Sequence, residues 1–307
     1  MAASLAAEAV PVAALAVLVA LALLLAGDAS GRLLLLRAVL PRRATQNVVS
    51  EPVVVPPGAR VRLIVTAALD APRGGIAAAA APLAARARRA VGGRAPSPHG
   101  LLALALLALA FLAALRAADV ESDWLAIAAV APTVALVAGT FLFADLAFAA
   151  PGRDGDGSPH AVAAALAVVA ALDRRPPRRL AVECVLTGAA SGGQLGLRAY
   201  VRARRRGARP EELAVLAIGG VGGAELAHHP KEGRVLPARL HPELAVRARE
   251  AGLPELRGRV TGALPARLAG WPAMAITPSR SDDVIDRTVE ACLDLVHRLD
   301  GQLDRDR

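Results

Sequence analysis

From Val10 to Ala26 the chain runs 17 residues without a charge, and two more apolar stretches follow, Leu101–Leu115 and Trp124–Ala144. A helix needs about 20 apolar residues to cross the hydrocarbon core of a bilayer, so these runs constrain the fold more than any other feature. The first is preceded by Glu8 and by no Lys or Arg. A cleaved leader has a basic start and a small-residue cleavage site, so this run reads as an uncleaved anchor. The second has 15 apolar residues and extends over Ala117 and Ala118 if Arg116 snorkels. The third can span, with Pro132 at a kink position and Trp124 at an interface. The second could instead be a buried core helix, but its pairing with the third across the polar turn Arg116–Asp123 favours a membrane hairpin.

Arginine placement sets the expected sidedness. Arg32, Arg37, Arg42 and Arg43 follow the first span, and Arg86, Arg88, Arg89 and Arg94 precede the second. The turn within the hairpin balances Arg116 against Asp119, Glu121 and Asp123. The expectation is a multi-pass protein of the cell inner (plasma) membrane, N-terminus outside and soluble domain cytoplasmic. Its divisions are an anchor (1–27), a first soluble part with a basic linker (28–98), the hairpin (99–150) and a second soluble part (151–307).

Composition narrows the function classes. At 55% hydrophobic the chain is neither disordered nor collagen-like. Cys184 and Cys292 are too few for a disulfide framework or a thiolate zinc site. The net charge of +9 would suit nucleic acid, but all four phenylalanines lie between Phe111 and Phe148, inside apolar runs, rather than among the basic residues. Nucleic acid is therefore excluded as a partner, and the lipid bilayer accounts for the charge.

The remainder reads as one α/β domain interrupted by the hairpin. Arg60–Ala71 is a β-branched strand ending in Asp70, followed by a Pro-Arg-Gly-Gly turn. After the turn-rich 151–159 loop come a helix near His160–Leu172, a strand at Arg179–Leu186 and a helix over Gln194–Arg206. A strand at Leu213–Ile218, a helix near Pro242–Ala251, a strand at Ala273–Thr277 and a closing helix from Asp282 to about Leu303 complete the order. Apolar strands alternating with helices predict a three-layer mixed sheet with helices on both faces. Ligands of such sheets bind at the carboxyl ends of the strands. Asp70, the 187–193 loop and Gly219 all fall there. For both parts to build one sheet, the insertion must cross the bilayer an even number of times, which a two-span hairpin does.

These phrases, in this order, resemble zinc metallopeptidase family twenty-eight, the di-zinc aminopeptidases of clan MH that include glutaminyl-cyclase-like proteins. Thr45-Gln46-Asn47-Val48-Val49-Ser50 is similar to the family's opening Asn-Val phrase. Ala68-Leu69-Asp70-Ala71-Pro72-Arg73-Gly74 stands where the family has His-x-Asp-Ser-Pro-Arg-Gly. Gly152–Pro159 looks like its Gly-Ala-x-Asp-Asn-Ala-Ser-Gly, and Ala190–Tyr200 its Glu-Glu-x-Gly-Leu-x-Gly-Ser-x-x-Tyr. Ile218–Gly222 and Gly270–Ala273 resemble the later strand phrases. The resemblance implies a zinc-exopeptidase-like fold over about Asn47–Asp300.

The same resemblance implies that the metal site is dismantled. A zinc pair needs a bridging carboxylate, further ligands on each metal and a carboxylate base. The family's first His is here Ala68, its base Ala190, the neighbouring ligand Ser191 and its strand-end Asp is Gly219. Asp156 is the ligand that survives, with Asp154 competing for the alignment; Asp70 keeps the orienting-acid position. No histidine lies between His241 and His297 for the last ligand. The expectation is no catalytic residue, no zinc or other cofactor, and a crevice lined by Asp70, Asp156, Ser191 and the Gly219–Gly223 run. A peptide or protein partner would bind there. The alternative is an active membrane-bound metallo-aminopeptidase that uses zinc with substitutes such as His160 and Asp154.

Other constellations have plainer readings. His228-His229, with His241 nearby, could bind metal but reads as solvent-exposed loop histidines. Ser191 lacks a Gly-x-Ser-x-Gly context. Gly219–Gly223 lacks the Lys-Ser/Thr of a phosphate loop. Cys184 reads as packed, Asp282-Asp283 as helix capping, and Arg202–Arg206 as a solvated or lipid-facing surface. A transporter would need ionisable groups within the spans, and the one acid is Asp145, at a span end.

Overall fold

The computed structural model describes residues 2–31, 45–52, 55–70, 74–76, 79–80, 83, 86, 98–120, 122–150, 158–190, 193–220, 225–233, 237–256, 262–279 and 283–305. The chain divides into two compact units: Met1–Pro41 with Arg73–Ala150 and Arg234–Leu236, and Arg42–Pro72 with Pro151–Gly233 and Pro237–Arg307.

The first unit contains α1 (Ala2–Ala29), α2 (Pro98–Ala117) and α3 (Asp123–Phe148), three helices long and apolar enough to cross a membrane. Small side chains let them approach closely: Ala103, Ala105 and Ala110 of α2 are buried, and a Cβ on Gly139 of α3 would strike Leu102. The hydroxyls of Thr133 and Thr140 donate back to Ala129 O and Leu136 O at 2.7 and 2.9 Å, so the helix satisfies its own polar groups. Ile127, Val130, Val134, Val137 and Phe141 recur at helical spacing on an exposed face. At the end of α3, Asp145 Oδ2 accepts the Ile76 backbone N–H at 2.7 Å, and Gly74 N–H donates to Ala150 O at 3.0 Å.

The second unit is built on a six-stranded mixed sheet. In chain order its elements are β1 (Val48–Val49), β2 (Val61–Ala68), α4 (Ser158–Arg174), β3 (Leu180–Thr187), α5 (Leu195–Arg204) and β4 (Leu213–Ile218). Then follow β5 (Ala227–His228), β6 (Lys231–Glu232), β7 (Ala238–Arg239), α6 (Pro242–Glu250), α7 (Leu264–Leu268), β8 (Ala273–Thr277) and α8 (Val284–Arg305). The sheet order is β1-β3-β2-β4-β8-β5; β6 and β7 pair separately. The four central strands are parallel and the two edge strands antiparallel to their neighbours.

Both sheet faces are covered, which is why the central strands are apolar throughout rather than alternating. On one face Leu63, Val65, Val182, Cys184, Leu216 and Ile276 pack with buried residues of α4, α6 and α8. On the other, Ile64, Val185, Val215 and Ala275 pack with Leu197, Tyr200 and Val201 of α5 and with Ala266 and Trp271. This is the expected α/β class with its three layers. Asp300 and Asp304 near the end of α8 bind the start of β3: Asp300 accepts the backbone N–H groups of Arg178 and Arg179 at 2.9 and 2.7 Å, and Asp304 pairs with the Arg179 guanidinium at 2.8 Å.

Candidate functional site

The parallel strands end along one line, since Ala68 is level with Thr187, Ala67 with Ile218, and Ile218 with Ile276. The residues just beyond share that edge. Leu69 N–H donates to Thr187 O at 2.9 Å and Gly219 N–H to Ile276 O at 2.8 Å. Asp70 reaches the neighbouring loop, where its Oδ1 accepts the Ala190 backbone N–H at 2.8 Å. The structure therefore brings Ala68, Asp70, Ala190 and Gly219 together. Asp156, Asp154, Ser191 and residues 221–223 lie outside the described residues. His160 is exposed in the first turn of α4.

The loop carrying Ala190 is held in an unusual backbone. Ala189 (φ 50°) and Gln194 (φ 62°) are left-handed without being glycine, and Gly193 (φ 92°) lies between them. Asn47 clamps the base of this loop: its Oδ1 accepts Gly188 N–H at 3.2 Å and its Nδ2 donates to Gly196 O at 2.8 Å. A Cβ at Gly196 would strike Asn47 Oδ1 and Gly188 O, so only glycine allows α5 to start this close to β3. Arg198 Nε closes the loop by donating to Gly193 O at 2.9 Å.

The described residues of this edge do not fit a zinc pair. Ala68, Ala190 and Gly219 have no side-chain lone pair, and the one carboxylate there, Asp70, cannot by itself supply the ligands of two zinc ions. Among the described residues, no three His, Cys, Asp or Glu side chains gather to hold a metal ion.

Two expectations are corrected. His228 and His229 are completely buried, not solvent-exposed. The His228 stretch forms edge strand β5 against β8, with His228 level with Ile276. A hydrogen bond of 2.9 Å joins His228 Nδ1 to Leu253 O, and His229 Nε2 lies 2.6 Å from Thr277 Oγ1. Burial lowers the pKa of His228, and of His241, from the ordinary 6.5. A two-residue strand is too short to show periodicity, so the sequence pattern does not reveal it.

The second correction concerns Arg204 alone: Arg202, Arg205 and Arg206 are exposed as expected for this face, whereas Arg204, with its side chain still 38% exposed, is also tied inward. Its Nη2 donates to Glu183 Oε1 at 2.8 Å, and its guanidinium lies 5.5 Å from the centre of the Tyr200 ring. Glu183 is fully buried in β3 and also accepts from Tyr200 OH at 2.7 Å and Arg62 Nη1 at 2.9 Å. Burial and the nearby Glu183 carboxylate raise the Tyr200 pKa, so the phenol stays protonated and donates. The signal for this cluster was present: an acid inside the apolar run Leu180–Thr187 must find cationic partners. The thiols are packed, and burial pushes Cys292 up to about 12 and raises Cys184.

No family model matches the chain, and no curated protein matches it. Solved structures do. One is an aminopeptidase (M18 family) from Thermotoga maritima, 16% identical, with TM-score 0.35 over 44% of each chain. Another is a TET aminopeptidase from a marine-sediment Thaumarchaeota archaeon, 15% identical, with TM-score 0.34 over 45% of this chain and 46% of that one. The chain spans less than half the length of either.

Proposed function

We propose that this chain is an integral membrane protein whose cytoplasmic α/β domain keeps a peptidase framework of the family-twenty-eight type without its hydrolytic chemistry. It acts as a peptide- or protein-binding scaffold at the membrane, using the strand-end crevice. The observation that carries the reading is the Asp70–Ala190 hydrogen bond. The residue at position 68, where this acid would orient a metal ligand, is an alanine, and the carboxylate instead holds the backbone of the loop in which the general base would stand. Ala189 and Gln194 are kept in a costly left-handed conformation, while the side chains needed for proton transfer and metal binding are absent at 68, 190 and 219. Strained backbone of this kind persists where the surroundings over-determine it, commonly at ligand sites.

The three apolar helices support the membrane part of the reading. The exposed stripe from Ile127 to Phe141 needs an apolar surrounding, and the arginines flanking the spans favour an outside N-terminus.

The test is metal content of the detergent-purified chain after zinc incubation and washing, together with hydrolysis of aminoacyl chromogenic substrates. Well under one zinc per chain and no hydrolysis are expected. About one or two zinc ions per chain, with hydrolysis abolished by Asp156→Ala, would overturn the reading in favour of a metallo-aminopeptidase.

A further inference from the structure

At the opposite edge of the sheet, where β2, β3 and β4 begin, lies a groove of about 580 Å³. Sites for small ligands commonly measure about 300–1,000 Å³. Its walls include Arg60, Arg62 and Arg204, with the small residues Ala181 and Gly207 leaving the room between them. The acidic residue on its wall, Glu212, is turned to a neighbour: its carboxylate accepts Arg209 N–H at 3.2 Å and lies 3.9 Å from the Arg209 guanidinium. With three arginines on its walls against Glu212 and the underlying Glu183, the groove carries a net positive charge.

Two of its arginines are fixed from below. Glu183, with 0% side-chain exposure, binds Arg62 and Arg204 at 2.9 and 2.8 Å, while their own side chains remain 33% and 38% exposed. Each guanidinium spends one N–H on this carboxylate and has further N–H groups for the groove. One buried negative charge thus holds two positive charges side by side, leaving a surplus that attracts an anion. Stability gives little reason for the arrangement, because apolar residues in place of a buried ion cluster are commonly neutral or stabilising. What the cluster supplies is orientation: arginine forks, immobilised in advance, match the oxygens of a phosphate group.

We propose that this groove binds a phosphate group, gripped by Arg62 and Arg204 with Arg60 at its mouth. The group belongs to an anionic lipid or to a soluble phosphate compound, and the site is independent of the strand-end crevice.

The experiment uses the full chain in detergent. Inorganic phosphate is titrated by calorimetry, and lipid retention is counted by native mass spectrometry with phosphatidylglycerol against phosphatidylcholine. Binding in either arm is expected; the phosphatidylglycerol arm alone assigns a headgroup, the phosphate arm alone a soluble ligand. The triple variant Arg62→Leu/Glu183→Leu/Arg204→Leu removes the cluster without stranding a charge, and should weaken that binding at least about tenfold. Arg60→Glu, at an exposed position, should weaken it too and does not depend on the core refolding. No binding in either arm, equal retention of both lipids without phosphate binding, or binding unchanged in both variants overturns the proposal.

Discussion

The carboxylate of Asp70 holds the backbone amide of Ala190 at 2.8 Å, although 120 residues separate them in the chain. Asp70 is therefore a clasp between the ends of two adjacent strands. Replacing it with alanine leaves the Ala190 N–H without this acceptor and should cost about 1–3 kcal/mol. Asp70→Asn keeps an acceptor oxygen and should cost less. Thermal unfolding of the two variants in detergent checks this ordering; an Asp70→Ala protein as stable as the parent would show that the clasp bears nothing.

Gly196 should tolerate no side chain. Its Cβ would meet Asn47 Oδ1 and Gly188 O, both part of the clamp that shapes the loop. Gly196→Ala should destabilise the protein by about 1–3 kcal/mol. Gly301, within α8, has open space around it, so Gly301→Ala should stabilise by about 0.5–1 kcal/mol. Equal melting temperatures for the two variants would contradict the clamp.

Stability should fall in mild acid. Burial lowers the pKa of His228 and His241 below the ordinary 6.5, so the unfolded chain takes up these protons at a higher pH than the folded one. Stability is then fully present above about 6.5, and declines as pH falls from there toward the lowered values of the folded protein. A His228→Gln variant should show a shallower loss of melting temperature between about pH 7.5 and pH 5.5. An unchanged slope would remove His228 from the account.

The sheet was largely legible because its strands are unbroken apolar runs bounded by turns. Leu213–Ile218 and Ala273–Thr277 coincide with the observed strands, and β3 is shifted by one residue. Burial on both faces produced those runs, and composition alone recorded it. The site was legible only as an outline. That Asp70 and Ala190 share an edge followed from strand order, but their hydrogen bond depends on the left-handed turn at Ala189, which no side-chain pattern encodes. His228 and His229 were misread because burial of a polar residue depends on distant partners, here Leu253 and Thr277, contributed by other elements; Glu183 carried a signal, an acid within an apolar run, but not the identity of its partners Arg62 and Arg204.

The register between β2 and β3 has a consequence for biosynthesis. Ala67 and Thr187 touch across 120 residues, and both candidate spans of the hairpin lie between them in the chain. The ribosome completes a central strand of the sheet, Val61–Ala68, well before either parallel neighbour exists. Closing so long a loop adds little to the equilibrium cost but delays folding. Until Thr187 and Ile218 have been made, β2 is an apolar ribbon with both edges open, a natural client for a chaperone that acts on the nascent chain.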